Sequence, residues 1–223
     1  MKWIYVLAAI GFYLKMILLP NLVVPLEELS ELSIVETIAQ ESGVPNVVSG
    51  IIFRNRLYDT LFEVVVFTIA IMGVRFLLAD EQPAAVVHQF TDHPSIVLAR
   101  LGATIAALIS VELALRGHLS PGGGFAAGVA GGTAIGLVAI TAPPEWLHQL
   151  YQRWRAATLE KISVLLFIAL AACSLLGLAL PMGEMGAQLS GGWIPWLNIL
   201  VALKVAIGSW GAILVFIRYR GLL

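Results

Sequence analysis

Arg116-Gly117-His118-Leu119-Ser120-Pro121-Gly122-Gly123-Gly124-Phe125 separates two apolar runs, residues 95–115 and 125–142. A proline followed by three glycines at such a junction marks a sharp turn between one membrane helix and the next. Pro121 fixes its own φ and donates no backbone hydrogen bond, whereas Gly122, Gly123 and Gly124 accept positive φ and let neighbouring backbone approach. Beyond the turn, Gly124, Gly128, Gly132 and Gly136 recur every four residues. On a helix they form one stripe without side chains, and in a bilayer such a stripe receives another helix.

Composition sets the surroundings. The 223 residues are 59% hydrophobic and 12% charged, with a mean hydropathy of +0.91. A soluble domain carries about twice that charge fraction, and several apolar runs reach the roughly 18 residues that mark a membrane span. The expected fold is therefore an all-α integral membrane protein without a soluble domain, in contact with the lipid bilayer. A net charge of −1 gives no argument for nucleic acid or acidic substrates. The single cysteine, Cys173, excludes a disulfide framework and a cysteine metal cluster. The glycine cluster lacks G-K-[ST] and follows a membrane helix rather than a strand, so it is not a nucleotide loop. Neither a nucleophile elbow nor a redox motif is present. The reading is a transport subunit rather than an enzyme, with no cofactor and no resident metal.

Six spans are expected, at 3–19, 59–78, 95–115, 125–142, 162–180 and 195–217. The first follows Met1-Lys2 and lacks a small-x-small cleavage site, so it reads as a retained anchor rather than a signal peptide. Between spans one and two, Glu27, Glu28, Glu31, Glu36 and Glu41 are interleaved with Leu29, Leu32, Val35 and Ile38, the pattern of an interfacial amphipathic helix. Residues 44–53 are apolar but too few to span, which suggests a re-entrant or buried piece. The polar, proline-bracketed stretch 80–94 divides the chain into residues 1–79, with two spans, and 95–223, with four. Residues 145–161 read as an amphipathic connector anchored by Trp146 and Trp154 and flanked by Arg153, Arg155 and Lys161. With the N-terminus inside, Lys2, Arg75, Arg100, Arg153, Arg155, Lys161, Arg218 and Arg220 fall on the cytoplasmic side. Lys15, Arg54, Arg56 and Arg116 fall outside. That bias predicts both termini cytoplasmic.

Ionisable groups inside spans are costly and therefore informative. Asp59 and Glu63 are one helical turn apart. Two carboxylates on one face repel when both are ionised, which invites a shared proton or a transient Na⁺ between them. Asp59 can also serve as an interface residue paired with Arg54 or Arg56. Glu112 and Arg116 stand in the favourable acid-first order for an intrahelical salt bridge. His118 reads as a turn residue bonded to backbone, or as a proton relay, since imidazole titrates near neutral pH. Lys204 lies nine residues into the last span, too deep to snorkel easily. It requires a carboxylate or serves a pathway; a carboxylate on a partner subunit is expected, Glu112 being too near the outer end.

Residues 95–223 resemble the B subunit of Mrp-type multisubunit sodium/proton antiporters, the MnhB domain, which is shared with membrane-bound hydrogenases. The resemblance rests on His93-Pro94-Ser95 with Arg100, on Arg116-Gly117-His118 with Pro121-Gly122-Gly123-Gly124-Phe125, and on Ile194-Pro195-Trp196-Leu197-Asn198 leading to Leu203-Lys204-Val205. Ala126-Ala127-Gly128 departs slightly from the family's glycine pattern. Residues 1–79 resemble the C-terminal segment of the large A subunit, or the E subunit of membrane-bound hydrogenases, through Asn46-Val47-Val48, Arg56, Asp59-Thr60-Leu61, Glu63, Ala70 and Gly73-Val74. Leu57 and Phe62 stand where that pattern carries glycines. The resemblance implies a subunit of a prokaryotic inner-membrane antiporter or a related complex, alongside A-, C- and D-like partners. In it, Asp59 and Glu63 would be ion or proton sites, with Lys204, Glu112 and His118 as further pathway candidates. The glycine stripe would dock a neighbouring helix. A purely structural subunit, whose charges only pair with neighbours, is the other reading.

Overall fold

The last helix, α8 (Ile194–Arg220), is the element on which the others pack. The computed structural model describes residues 33–84 and 86–221. The expected first span at 3–19 lies outside them, as do Glu27, Glu28 and Glu31. By packing, the chain forms two units, 1–37 and 38–223. The described part of the first is Ser33 and the opening turn of α1 (Ile34–Ser42). There Ser33 N donates to Glu36 Oε2 at 3.0 Å and Glu36 N to Ser33 Oγ at 3.3 Å, a reciprocal cap that satisfies two orphan donors.

In the second unit α2 (Val47–Gly50) runs into a π-helical turn, Ile51–Asn55, and then into α3 (Leu57–Leu77). The expected buried piece is here: Val44 and Phe53 are fully enclosed. After it come α4 (His93–Arg116), α5 (Gly124–Ala139), α6 (Pro144–Arg153), α7 (Ala156–Leu175) and α8. No strand occurs among the described residues. Helices α3, α4, α7 and α8 are long and apolar enough to cross a membrane. Helix α5 has 16 residues, about 24 Å of rise against a hydrocarbon core of roughly 30 Å.

Local chemistry sets the ends. Asp92 accepts from Ser95 N at 3.0 Å and Pro94 follows at the first helical positions, so α4 starts two residues earlier than expected. The expected connector 145–161 is two elements. Helix α6 stops at Arg153, and Arg155 takes a left-handed φ of 47°, an uncommon conformation for a residue with a Cβ. The chain turns there, and α7 begins at Ala156. Glu160 and Lys161, which close the expected connector, thereby enter a membrane helix.

The glycine stripe lies against α8 of the same chain. A Cβ on Gly124 would stand 2.6 Å from Asn198 O, and one on Gly128 would stand 2.4 Å from Val205 Cβ and 2.9 Å from Ala202 O. On Gly132 it would meet Ser209 Cβ at 2.8 Å, whereas on Gly136 the nearest atom, Ile213 Cδ1, is 3.7 Å away. The two backbones converge at the first three positions and separate at the fourth. On its other side α5 is tied to α4 by Ser110 Oγ, which donates to Ala127 O at 2.7 Å. The stripe serves the chain's own fold, since α8 already occupies it.

Two apolar cores flank α8. One joins Phe53, Leu57 and Val64 to Phe167, Ala171, Leu197, Val201 and Val205. The other joins Ala139, Leu147, Ala156, Trp210 and Ile217. The linker 80–94 runs across one end of the bundle. Ala84 N donates to Arg218 O at 2.9 Å, Phe90 N to Ile140 O at 3.1 Å, and Arg220 pairs with Glu81 at 2.6 Å.

The convergence predicts a graded series. Gly128→Ala must displace Val205 and the α8 backbone and should cost about 1–3 kcal/mol, the range for overpacking. Gly136→Ala meets only ordinary contact and should be neutral. Unfolding midpoints in a mild detergent distinguish the two; equal midpoints would refute the packing assignment.

Candidate functional site

The Arg116–Ser120 turn is clamped from two other elements. Asn46 Nδ2 donates to Gly117 O at 2.7 Å and to Ser120 O at 2.8 Å, and Ser49 Oγ also donates to Gly117 O at 2.7 Å. From α8, Asn198 Nδ2 donates to Leu113 O at 3.0 Å and Ala114 O at 2.7 Å, satisfying carbonyls that the end of α4 leaves unpaired. A side chain at 117 would collide with this amide, 2.8 Å away. After the clamp, Gly122 and Gly123 adopt φ of 156° and 147°, values open mainly to glycine, and Pro121 is exposed. His118 is fully buried here and its carbonyl accepts from Asn46 N at 3.2 Å. Neither ring nitrogen completes a hydrogen bond. Burial holds His118 below its ordinary value, with the nearby backbone of Gln188 and Ala187 opposing. Glu112 and Arg116 form an exposed pair at 3.1 Å beside it.

Lys204 is the centre of charge. It is 1% exposed and forms an ion pair with Glu160 of α7, itself 8% exposed. The expected carboxylate on a partner subunit is thus replaced by one from the same chain. Its ammonium also lies 5.2 Å from the centre of the Phe67 ring of α3, a distance at which the ring quadrupole attracts a cation. Gly208 makes the space: a Cβ there would lie 2.7 Å from Phe67 Cε1 and 3.3 Å from Glu160 Oε1. Three spans therefore meet at one ion pair. Sequence reasoning missed Glu160 because it sits beside Lys161 after an arginine-rich stretch. The signal that could have found it was its distance from the proline pair that opens α6.

Asp59 and Glu63 lie one turn apart on one side of α3. Asp59 pairs with Arg56 at 2.5 Å, in the partly exposed first turn. The π-helical turn precedes it: Arg56 N donates to Ile51 O at 2.7 Å, and Thr60 Oγ1 covers the Ile52 carbonyl at 2.8 Å. Glu63 is exposed on the chain's surface, about 9 Å along the helix from its start. Its neighbours Val64–Phe67 suggest an apolar setting. Yet Val64 turns inward and Glu63 turns out. Neither Asp59 nor Glu63 approaches Lys204 or His118 in any bond or ion pair. Among the described residues no group of His, Cys, Asp or Glu is arranged to hold a metal.

At the bundle end that carries the linker, Arg75 Nη2 donates to Tyr151 OH at 3.4 Å, and the Tyr151 ring stands edge-on to Trp210 with centroids 5.2 Å apart. Burial lifts the Tyr151 phenol above its ordinary value; the Arg75 charge opposes and the Glu160 charge adds.

Apolar helices bearing a buried ion pair, an exposed acid and a polar clamp define a polytopic helical membrane protein that carries charge within its spans. The chain belongs to the family of domains related to the MnhB subunit of Na⁺/H⁺ antiporters, whose model matches residues 94–211. Over 172 residues, 66% of the chain, it is 30% identical to a probable K⁺/H⁺ antiporter A/B subunit of Rhizobium meliloti (strain 1021), and spans only 17% of that protein. Its fold is similar to that of a chain in the membrane-bound sulfane sulfur reductase, an archaeal respiratory membrane complex. There the TM-score is 0.63 and the identity 23%, over 97% of both chains. It is also similar to part of a chain in the Mrp complex of Dietzia sp. DQ12-45-1b, with a TM-score of 0.58 and 22% identity over 82% of this chain and 22% of that one.

The buried groups can be tested through stability. Lys204→Ala leaves the Glu160 carboxylate uncompensated and should cost about 3–5 kcal/mol, whereas Lys204→Met with Glu160→Gln should recover most of the loss. A double-mutant cycle on thermal unfolding with negligible coupling would refute the pair's role. His118 binds its proton more weakly folded than unfolded, so the unfolded state takes up more protons as pH falls. Stability should be full above the ordinary histidine value of 6.5 and decline below it. His118→Gln should flatten that decline in unfolding measured between neutral and mildly acidic pH.

Proposed function

We propose that this chain is a membrane subunit of an Mrp-type monovalent cation/proton antiporter or of a related ion-translocating complex. Membership of the MnhB-related family and the likeness to a K⁺/H⁺ antiporter A/B subunit support this reading. The observation that carries it is Glu63, an exposed carboxylate on a membrane helix with no ion pair among the described residues. A charge facing hydrocarbon is costly, so a neighbouring subunit or a water-lined path covers it in the complex. Glu63, with Asp59 beside it, is the point where a proton or a transient Na⁺ passes between this chain and an A-, C- or D-like partner. The parent complex is redox-linked or stands alone.

In this reading the chain crosses a prokaryotic inner membrane six times and has no soluble domain. A two-span part, 1–79, is joined by 80–94 to a four-span part, 95–223, in which α5 is a short span shielded by α4 and α8. Arg75, Arg100, Arg153, Arg155, Lys161, Arg218 and Arg220 belong to the end of the bundle that carries the linker, and Arg54, Arg56 and Arg116 to the other. The positive-inside rule makes the first end cytoplasmic, which puts both termini inside.

The second reading, a structural subunit, is favoured by the internal pairing of Lys204, Arg56 and Arg116. Glu63→Gln decides between them. It preserves shape and removes titration, so cation-coupled proton flux in vesicles should fall by about tenfold or more at equal complex abundance. Glu63→Asp should retain part of the flux. Unchanged flux in the Gln variant would leave the structural reading.

A further inference from the structure

Lys204, Gly208 and Gly211 follow one another along α8, and the two glycines open a slot in its surface. A Cβ on Gly208 would lie 3.3 Å from Glu160 Oε1 and 3.4 Å from Lys204 Nζ. One on Gly211, about 4.5 Å further along the axis, would lie 2.6 Å from Arg75 Nη2 and 3.2 Å from Tyr151 OH. The space that two side chains would fill thus holds an amine and a carboxylate at its inner end, and a phenol and a guanidinium at its outer end. The inner end is bounded by Phe67, whose ring centre lies 5.2 Å from Lys204 Nζ. The outer end opens on a cavity of about 380 Å³ lined by Arg75, His148, Tyr151, Gly211, Arg218 and Tyr219. Arg218 from α8 and His148 from α6 also line that cavity. At the slot, α3 contributes Arg75 and Phe67, α6 Tyr151, and α7 Glu160.

We propose that Glu160 and Tyr151 form a one-sided proton path through which buried Lys204 exchanges its proton with water in this cavity. The proposal rests on the reading above, that the chain works in a complex exchanging cations for protons. In the first step an Nζ–H bond of Lys204 breaks and an O–H bond forms on Glu160, so the ion pair becomes a neutral amine beside a carboxylic acid. Glu160 then releases that proton, by way of water admitted to the slot, to the Tyr151 oxygen as the phenol gives its own to cavity water. The slot is left with a neutral amine, a carboxylate and an intact phenol, one positive charge fewer than before. Uptake from the same cavity reverses each step and restores the pair. Arg75 does not titrate. It is a positioning residue that holds the Tyr151 oxygen, and its fixed charge favours the deprotonated slot.

The test uses the assembled complex in vesicles, with proton flux driven by a cation gradient and followed by a pH-sensitive dye. Tyr151→Phe keeps the ring against Trp210 and removes the hydroxyl. It should slow flux at least about tenfold, within the range that one positioned proton carrier contributes, while complex abundance and unfolding temperature stay at wild-type values. Tyr219→Phe, which removes a cavity-lining hydroxyl outside the path, should exchange at the wild-type rate. Flux in the wild type with no loss in Tyr151→Phe would overturn the path and leave the antiporter reading standing. Absence of cation-coupled flux in the wild type would overturn both. A readout independent of transport is side-specific labelling. In a Cys173→Ser background, Tyr151→Cys should react with a membrane-impermeant thiol reagent added on the linker side and not from the opposite side. Labelling from the opposite side, or from neither, would overturn the path.

Discussion

An ammonium group inside a bilayer protein must be paired, and most of this structure can be read as the arrangement that pairs Lys204. Leaving such a charge uncompensated costs several kcal/mol, which no single apolar contact recovers. Glu160 meets it from α7, the Phe67 ring approaches from α3, and Gly208 gives up its side chain so that all three fit. The same three helices share an apolar core of Leu57, Val64, Phe167, Val201 and Val205. Charge and packing therefore select the same geometry: α7 cannot rotate about its axis without separating the pair, nor α3 without withdrawing the Phe67 ring.

Helix α8 meets its neighbours by two different means. Towards α5 it presents Val201, Val205 and Ser209, which enter the absent side chains of Gly124, Gly128 and Gly132. Towards α3, α6 and α7 it is α8 itself that lacks side chains, at Gly208 and Gly211. One glycine set brings backbone against backbone, and the other makes room for polar groups. The clamp at the Arg116–Ser120 turn fixes the height of these faces. Asn198 holds the end of α4, and Asn46 and Ser49 hold the turn beyond it.

Local pattern carries the helices and their breaks into view. The Pro121–Gly124 turn, the four-residue glycine period and the apolar runs all depend on neighbours in sequence, so they are legible without coordinates. The short range of that information explains the misplacements. Residues 145–161 read as one amphipathic connector because the left-handed turn at Arg155 has no compositional mark, and Glu160 falls to the interface on that account. Asn46 stands out only as part of a motif, since its bonds reach Gly117, 71 residues away. Glu63 is legible as an unusual acid. Which way it points is not, because an orientation belongs to the packing of Leu57, Thr60 and Val64 against α7 and α8. The acid–base pairs one turn apart, Arg56–Asp59 and Glu112–Arg116, are readable for the opposite reason.

The linker bears on how such a chain comes to be one polypeptide. Helix α3 is seated by Leu57, Val64 and Phe67, all against residues beyond position 160, so its place in the bundle depends on side chains rather than on the peptide that follows it. The stretch 80–94 adds Ala84 to Arg218 and Glu81 to Arg220 at the bundle's edge, and mainly keeps α3 near its seat. Covalent connection of this kind raises effective concentration without creating new contacts. A gene split within the linker would then encode two polypeptides that recognise each other through the surfaces now hidden inside one, and joining them would change the speed and fidelity of assembly more than its end point.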